Sequence, residues 1–440
     1  MNFSTLIKFT SSAKFSPNGF SIAVIKGNDL FIYKTEDLKQ RNKFSFGSPL
    51  TFIEWSPDSS LIICGIFKGA MIEVRSIDNP NWECSISEGS LGMTFAKWVP
   101  DSRKIISGCN FNIKLSIWSL QNKKFAYIDY PKFNDDKCAV FSSNGLYSAV
   151  VERKDIHDYI GIYSNTDFDL VSHFMSESAD LVDIEWTKDN TSLIIIDYPI
   201  ESKVYIYSTI GTLESSFEPC NIGSFGIPLM KQSEDKKSVA FVTEQNIKLY
   251  DTIVWKNYAS ISHTEAIKGK NKKYHIFKEE EITEKDSNNM LIKRTRFTCV
   301  DSIPQNMLNS NTSKNGKTKG IKKVEWSSNS KIFAYRNDNY PNILWVWSID
   351  TIELHSVIIT LKHIKDFKWS PPTQKNNFLF IVTENNKTYQ FSSNTISTIE
   401  IPNTIGNITP YKIQWNSQGN CLLLNDKSNI IIGYLSDSLF

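Results

Sequence analysis

The hydrophobic and polar positions of this chain repeat one short phrase. A few apolar residues end in an aromatic, a Ser-Pro pair or a near equivalent follows, and an Asn/Asp-Gly/Ser turn closes it. Clear copies are Lys14-Phe15-Ser16-Pro17-Asn18-Gly19, Glu54-Trp55-Ser56-Pro57-Asp58-Ser59 and Lys97-Trp98-Val99-Pro100-Asp101-Ser102. Looser copies are Val140-Phe141-Ser142-Ser143-Asn144-Gly145, Glu185-Trp186-Thr187-Lys188-Asp189-Asn190, Glu325-Trp326-Ser327-Ser328-Asn329-Ser330, Lys368-Trp369-Ser370-Pro371 and Gln414-Trp415-Asn416-Ser417-Gln418-Gly419. A ninth, degraded copy is Leu229-Met230-Lys231, ahead of Ser233-Glu234-Asp235. The positions 15, 55, 98, 141 and 186 stand 40, 43, 43 and 45 residues apart. From 186 to 230 is 44, from 326 to 369 is 43 and from 369 to 415 is 46. After each turn comes an apolar strand such as Leu61-Ile62-Ile63-Cys64-Gly65, then one ending in an aromatic such as Leu115-Ser116-Ile117-Trp118-Ser119. Short strands at regular spacing predict an all-β array. A period of ~40–45 residues predicts one four-stranded blade per copy.

The expected fold is a single closed β-propeller of WD repeats over residues 1–440, with nine blades; seven or eight plus a distorted segment is the alternative. The WD signature itself is worn. Trp118-Ser119, Trp347-Ser348, Tyr163-Ser164 and Tyr207-Ser208 stand where Trp-Asp is usual, and Tyr250-Asp251 alone keeps the acid. The hydrogen-bonded tetrad those residues build is therefore expected to be missing in most blades. The last copy has three strands, near Lys412–Trp415, Cys421–Leu424 and Ile430–Tyr434, while a spare strand, Leu6–Phe9, precedes the first. That strand is expected to complete the last blade, which hides open edges.

One interval breaks the period, since 230 to 326 is 96 residues. The excess, residues 264–320, holds Lys268–Lys273, Glu279–Glu281, Lys293–Arg296 and Lys314–Lys319. Its composition predicts a basic, largely disordered loop between blades, with a short strand near Tyr274–Phe277. Its lysines read first as a solvated charge run and second as a patch for an acidic partner. Over the whole chain charge is balanced, with a net of +2 over 440 residues. The seven cysteines are scattered, never in a C-x-x-C pair, so neither a disulfide framework nor a zinc site is expected. No segment approaches the ~20 apolar residues of a membrane helix, and a cytosolic or nuclear protein is the default expectation.

Chemistry is sparse. The six histidines form no H-E-x-x-H and no helical ligand pair. Phosphate-binding glycine loops and a nucleophile elbow are absent. The expectation is a protein without catalysis, metal or cofactor, which works by holding partners.

Several stretches go beyond generic repeats: Met1–Ser4 leading into Lys14–Pro17, Trp82-Glu83-Cys84 before Glu88–Gly92, Tyr127–Lys132, Glu152–Tyr159, and Arg336–Asn342 followed by Trp345-Val346-Trp347. In this order they resemble the WRAP-type family of centrosomal and spindle-pole WD-repeat proteins, from residue 1 to about 430, with the insert departing from it. The resemblance implies a scaffold in the cytoplasm and cytoskeleton, at the centrosome, spindle pole body or centriolar satellites. It implies one copy bound in a hetero-complex to a coiled-coil microtubule-anchoring protein of the SSX-interacting or Msd type. In some lineages a minus-end-directed kinesin joins, and the work is minus-end anchoring, spindle organisation and basal-body or cilium assembly. Neither membrane nor nucleic acid is an expected partner.

The second-to-third-strand loops Arg153–Asp158 and Asn337–Asn342, with the between-blade segments Glu88–Gly92 and Gly223–Gly226, are expected to form one partner-binding rim. The candidate residues are Arg153, Lys154, His157, Tyr159, Arg336, Asn337, Asp338 and Tyr340. Asn337, Asn339 and Pro341 alone read as turn formers; the large or charged residues beside them suggest interface anchors. A reading from another class is an RNA- or ribosome-associated large-ring propeller resembling a translation initiation factor. The basic insert permits it, but the scattered aromatics Tyr274, Phe277 and Phe297 give little for base stacking.

Overall fold

Within each repeat the strands differ in what they bury. Second strands such as Leu61–Ile66, Ser192–Ile196 and Leu379–Thr383 are buried nearly end to end. The reason is visible at Leu61–Ile66: Ile62 and Cys64 pack on the preceding repeat, while Ile63 packs on the following one. A strand covered on both faces needs a continuous apolar run rather than an alternating one. Fourth strands such as Gln40–Ser45 and Leu170–Met175 are largely exposed, which is why their sequences carry no repeat signal.

The computed structural model describes residues 1–440 apart from 123–124, 201, 221–225, 244–245, 263–273, 286–290, 305–306, 308–319, 374–376, 386, 394, 403–405, 407 and 436–440. Among the described residues nine sheets follow the nine motif copies, antiparallel apart from one strand pair in blade 7, so the fold is all-β, a nine-bladed propeller. One compact unit, residues 8–221, holds blades 1 to 5, whose first strands are Ala13–Phe15, Phe52–Trp55, Phe95–Trp98, Ala139–Phe141 and Asp183–Trp186. The other, residues 1–7 and 222–440, holds blades 6 to 9, starting at Leu229–Gln232, Ile321–Trp326, Ile364–Trp369 and Lys412–Trp415.

The recurring phrase is a set of bolts between blades. The Trp55 indole Nε1 donates to the Lys14 carbonyl at 3.1 Å, Trp98 to Glu54 at 3.1 Å, Trp186 to Val140 at 3.0 Å and Trp326 to Lys231 at 3.1 Å. The first three grip the residue before the aromatic of the previous copy, and Lys231 likewise precedes Gln232, which stands in the aromatic's place ahead of Ser233. The turn supplies a second bolt. Gly19, Ser59, Ser102, Gly145, Asn190, Lys236, Ser330 and Gly419 all have φ between 59° and 78°. Where that residue is serine, its Oγ accepts a backbone N–H from the previous turn: Asn18 to Ser59 at 3.0 Å, Asp58 to Ser102 at 3.0 Å, Asp235 to Ser330 at 2.8 Å.

The N-terminus completes the last blade. Asn2–Phe3 pairs with Asn429–Tyr434, with Asn2 opposite Tyr434 and Phe3 opposite Gly433. Ser4 then donates its N–H to the Ile432 carbonyl at 2.8 Å and accepts the Ile432 N–H on Oγ at 3.0 Å. The expected closing strand, Leu6–Phe9, contributes only the two-residue strand Ile7–Lys8 on the same partner. The register is set further toward the N-terminus because Met1, Phe3 and Leu6 pack on the Trp415, Leu422 and Ile431 cluster.

One expectation needs correcting. The insert, expected as a largely unstructured loop, contains a long hairpin, His275–Lys285 with Leu291–Val300. His275–Lys278 pairs in parallel with Ser356–Ile359 and extends blade 7 to six strands. Ile276 and Phe277 are buried, and so is Glu279, whose carboxylate accepts from Tyr389 Oη at 2.7 Å and from the Leu361 N–H at 2.8 Å. Those partners are what allow a charge-rich segment to be ordered. The clusters at 268–273 and 314–319 lie outside the described residues. The worn tetrad also has a substitute in blade 3. Trp118 Nε1 donates to Ser107 Oγ at 2.8 Å, and Ser107 donates to the buried Glu88 carboxylate at 2.6 Å.

Candidate partner-binding surface

In blade 4 the second strand, Tyr147–Lys154, turns into the third, His157–Ser164, through two residues only, Asp155 and Ile156. Both are left-handed, with φ of 47° and 74°, as a two-residue turn between paired strands requires. Arg153 points inward from this hairpin. Its guanidinium donates to Asp158 at 2.8 Å and Asp180 at 3.0 Å, and both bonds raise its pKa, that to Asp158 most. The Asp158 carboxylate is fully buried and also takes Lys132 Nζ at 2.8 Å and the Leu181 N–H at 2.7 Å. Lys132, through its hydrogen bond, holds the Asp180 carboxyl below the usual range.

Glu152, also buried, accepts from Lys154 at 3.0 Å and Tyr163 at 3.2 Å and sits 3.3 Å from His173 Nε2. Tyr159 stacks on the His173 ring with centroids 5.4 Å apart. His157 is exposed. Arg153, Lys154, His157 and Tyr159 therefore belong to one hairpin, and its ion pairs run inward and toward the blade 5 entry.

The second cluster lies in blade 7. Arg336 donates to the carbonyls of Ile364 and Lys365 at 2.7 and 2.8 Å, at the entry to blade 8, and to Asp338 at 3.0 Å. Asn337 is fully buried; its Oδ1 takes the Asn339 N–H at 2.9 Å, and its carbonyl takes the Tyr340 N–H at 2.9 Å. Asp338 donates its N–H to the Gly320 carbonyl, and Tyr340 packs edge-on to Trp345 at 5.9 Å. The Ile364 N–H returns to the Pro341 carbonyl at 2.9 Å. Arg336, Asn337, Asp338 and Tyr340 are one brace across two blades, and large, charged residues used in this way look like interface anchors when read without their partners. Gly223 lies outside the described residues; Glu88 is buried in the blade 3 network and Gly89 is exposed.

What faces water most fully in these loops includes large apolar side chains. Phe111, Ile156 and Ile200, in the second-to-third-strand loops of blades 3, 4 and 5, are 90%, 81% and 83% exposed. Sequence reasoning passed over all three. The signal at Ile156 was an Asp-Ile pair at a turn where Asn-Gly or Asp-Gly is the ordinary solution.

The chain is similar to WD repeat-containing protein WRAP73 of Mus musculus, 28% identical over 452 residues that cover 99% of this chain and 96% of that protein. With nine sheets at the repeat period, this decides the family. The chain is a WD-repeat protein. It is also 22% identical over 267 residues, 60% of its length, to an uncharacterised WD repeat-containing protein of Schizosaccharomyces pombe, 52% of which is covered. A scan against protein-family models finds none that matches. Among solved structures, a crystal structure of the eukaryotic initiation factor superposes with a TM-score of 0.58 over 90% of both chains, at 11% identity. That likeness shows a shared fold alone, and the WD-repeat chain takes no ribosomal role from it.

Proposed function

We propose that this WD-repeat protein is a non-enzymatic scaffold of microtubule-organising centres. On this reading it binds a coiled-coil microtubule-anchoring protein and supports minus-end anchoring, spindle organisation and, in ciliated cells, basal-body assembly. The observation that carries the proposal is the end-to-end similarity to a WRAP-type protein: 99% of this chain aligns, not a few blades of it. Shared propeller geometry alone gives far lower identity, as the 11% to the initiation factor illustrates.

Proximity labelling from the native protein tests the proposal. The expected result is enrichment of coiled-coil centrosomal or spindle-pole proteins, with the tagged chain at the poles. Enrichment of ribosomal subunits with salt-sensitive RNA binding would replace this reading with the ribosome-associated one.

A further inference from the structure

Loop tips are ordinarily polar, and left-handed turn positions ordinarily hold Gly, Asn or Asp. Blades 3 to 5 break the first habit in their second-to-third-strand loops, and blades 3 and 4 break the second there as well. Ile156 has φ of 74° at the tip of the blade 4 hairpin, where a β-branched residue is a genuine outlier. Phe111 has φ of 63° in the equivalent blade 3 loop. Tyr130, which links blades 3 and 4, has φ of 56° and is 59% exposed. In blade 5 the same loop presents Tyr198 and Ile200. Left-handed strain at Phe111 and Ile156, which are 90% and 81% exposed, points to function rather than to folding.

The occupant follows from what these tips offer. Backbone groups here are used within the hairpins: Lys154 pairs with His157, the Tyr130 N–H goes to the Ile113 carbonyl, and the Arg153 N–H goes to the Tyr130 carbonyl. A hairpin tip is no open sheet edge, so an extended peptide gains none of the main-chain bonds that give strand addition its affinity. A helix satisfies its own backbone and needs only side-chain contacts. Charge agrees. The cations near the tips are matched, Lys132 and Arg153 by Asp158 and Asp180 and Lys154 by Glu152, and Asp129 and Asp155 are exposed among them. Nucleic acid or an anionic membrane needs cations in excess; a helix with both signs flanking an apolar stripe does not. We propose that the second-to-third-strand tips of blades 3, 4 and 5, led by Phe111, Ile156 and Ile200, dock the apolar stripe of an amphipathic α-helix. This deepens the scaffold reading above by naming its docking surface.

The test places a photo-crosslinking amino acid at position 111, 156 or 200 in the full-length protein in cells, with position 210 as the control. Ile210 is also exposed, but in the third-to-fourth-strand turn of blade 5. The expected adducts from all three tips fall on one polypeptide, at sites three, four or seven residues apart along an apolar stripe, and position 210 gives none of them. Adducts to lipid or RNA, sites at every second residue, equal capture from position 210, or no adduct at all would overturn the proposal. The single variant Ile156→Gly is expected to keep or raise the melting temperature while reducing capture of that polypeptide at least tenfold; unchanged capture also overturns it. If the captured helix belongs to a protein away from microtubule-organising centres, the surface stands and the functional reading fails. If the triple variant Phe111→Ser, Ile156→Gly, Ile200→Ser still binds a pole-localised anchoring protein normally, the function stands and the surface fails.

Discussion

Ser102 holds a left-handed backbone with φ of 60° and, in return, catches the Asp58 N–H of the previous turn. The two effects oppose each other, which makes the residue separable by substitution. Ser102→Ala keeps the strain and loses the acceptor, and is expected to destabilise by about 1 kcal/mol. Ser102→Gly loses the same acceptor but relieves the left-handed backbone by about 0.5–1 kcal/mol, so it should unfold at a higher urea concentration than the alanine variant. The reverse order would show that the bolt is not what the serine supplies. A second prediction at this scale concerns Glu54, whose carboxyl is pushed up to about 7 by burial, against the pull of Lys14 and Lys97. A raised carboxyl means the folded state holds a proton that the unfolded state has released. Stability should therefore fall as pH rises from about 4.5 to about 7. Glu54→Gln should remove that slope and stabilise the protein at pH 8 by on the order of 1–3 kcal/mol. Thermal unfolding at pH 5, 6, 7 and 8 reads both; parallel profiles for the two proteins would refute the assignment.

At the scale of elements, the blades were legible and the insert was not, for one physical reason. A second strand such as Ser192–Ile196 is buried on both faces, so its apolar run stands out against any background. Beyond its parallel pairing with Ser356–Ile359, the hairpin of His275–Lys285 and Leu291–Val300 is held by two aromatics and one paired carboxylate. Phe277 meets Phe391 with ring centroids 6.1 Å apart, Phe297 meets Tyr389 at 5.2 Å, and Glu279 bridges Tyr389 and Leu361. A buried acid reads in sequence as an exposed one, because its partners lie 82 and 110 residues away. Glu279→Ala leaves the Tyr389 hydroxyl and the Leu361 N–H without their acceptor, and should weaken hairpin docking by about 2–4 kcal/mol. Amide exchange at 276–278 and 357–359 should then speed up, while strands of blades 1 to 5 keep their protection. Uniform loss of protection would mean that the hairpin is part of the global core. The candidate clusters show the same division. Arg153 and Arg336 could be found from sequence as large residues in turn-rich loops. That Arg153 is spent on Asp158 of its own hairpin and on Asp180 ahead of blade 5, and Arg336 on carbonyls at the entry to blade 8, is not written in those loops.

At the scale of the molecule, the number of blades could be counted in advance because every blade keeps its first strand and turn, even the degraded copy at Leu229–Gln232. The closing strand was legible in kind, though displaced toward the N-terminus. Leu6–Phe9 is the more apolar stretch, but register is set where side chains find a core, and Met1 and Phe3 find one on the last blade. The Ser4–Ile432 hydrogen bond joins residues 428 apart. Bringing such distant segments together is entropically slow, so this pairing should form after the local hairpins. A contact made after the folding transition state affects unfolding rather than folding. Phe3→Ala is therefore expected to destabilise by about 3 kcal/mol, with nearly all of it in faster unfolding and the refolding arm of the chevron unmoved. Removal of residues 1–5 goes further: it exposes the edge of Asn429–Tyr434, five of whose six residues are apolar or glycine, and an uncovered apolar edge invites pairing with other chains. The truncated protein should aggregate in proportion to its concentration, and a synthetic peptide of residues 1–10 should suppress this when added in excess. If Phe3→Ala slows refolding instead, the N-terminal strand belongs to the folding nucleus and the late-closure argument is wrong.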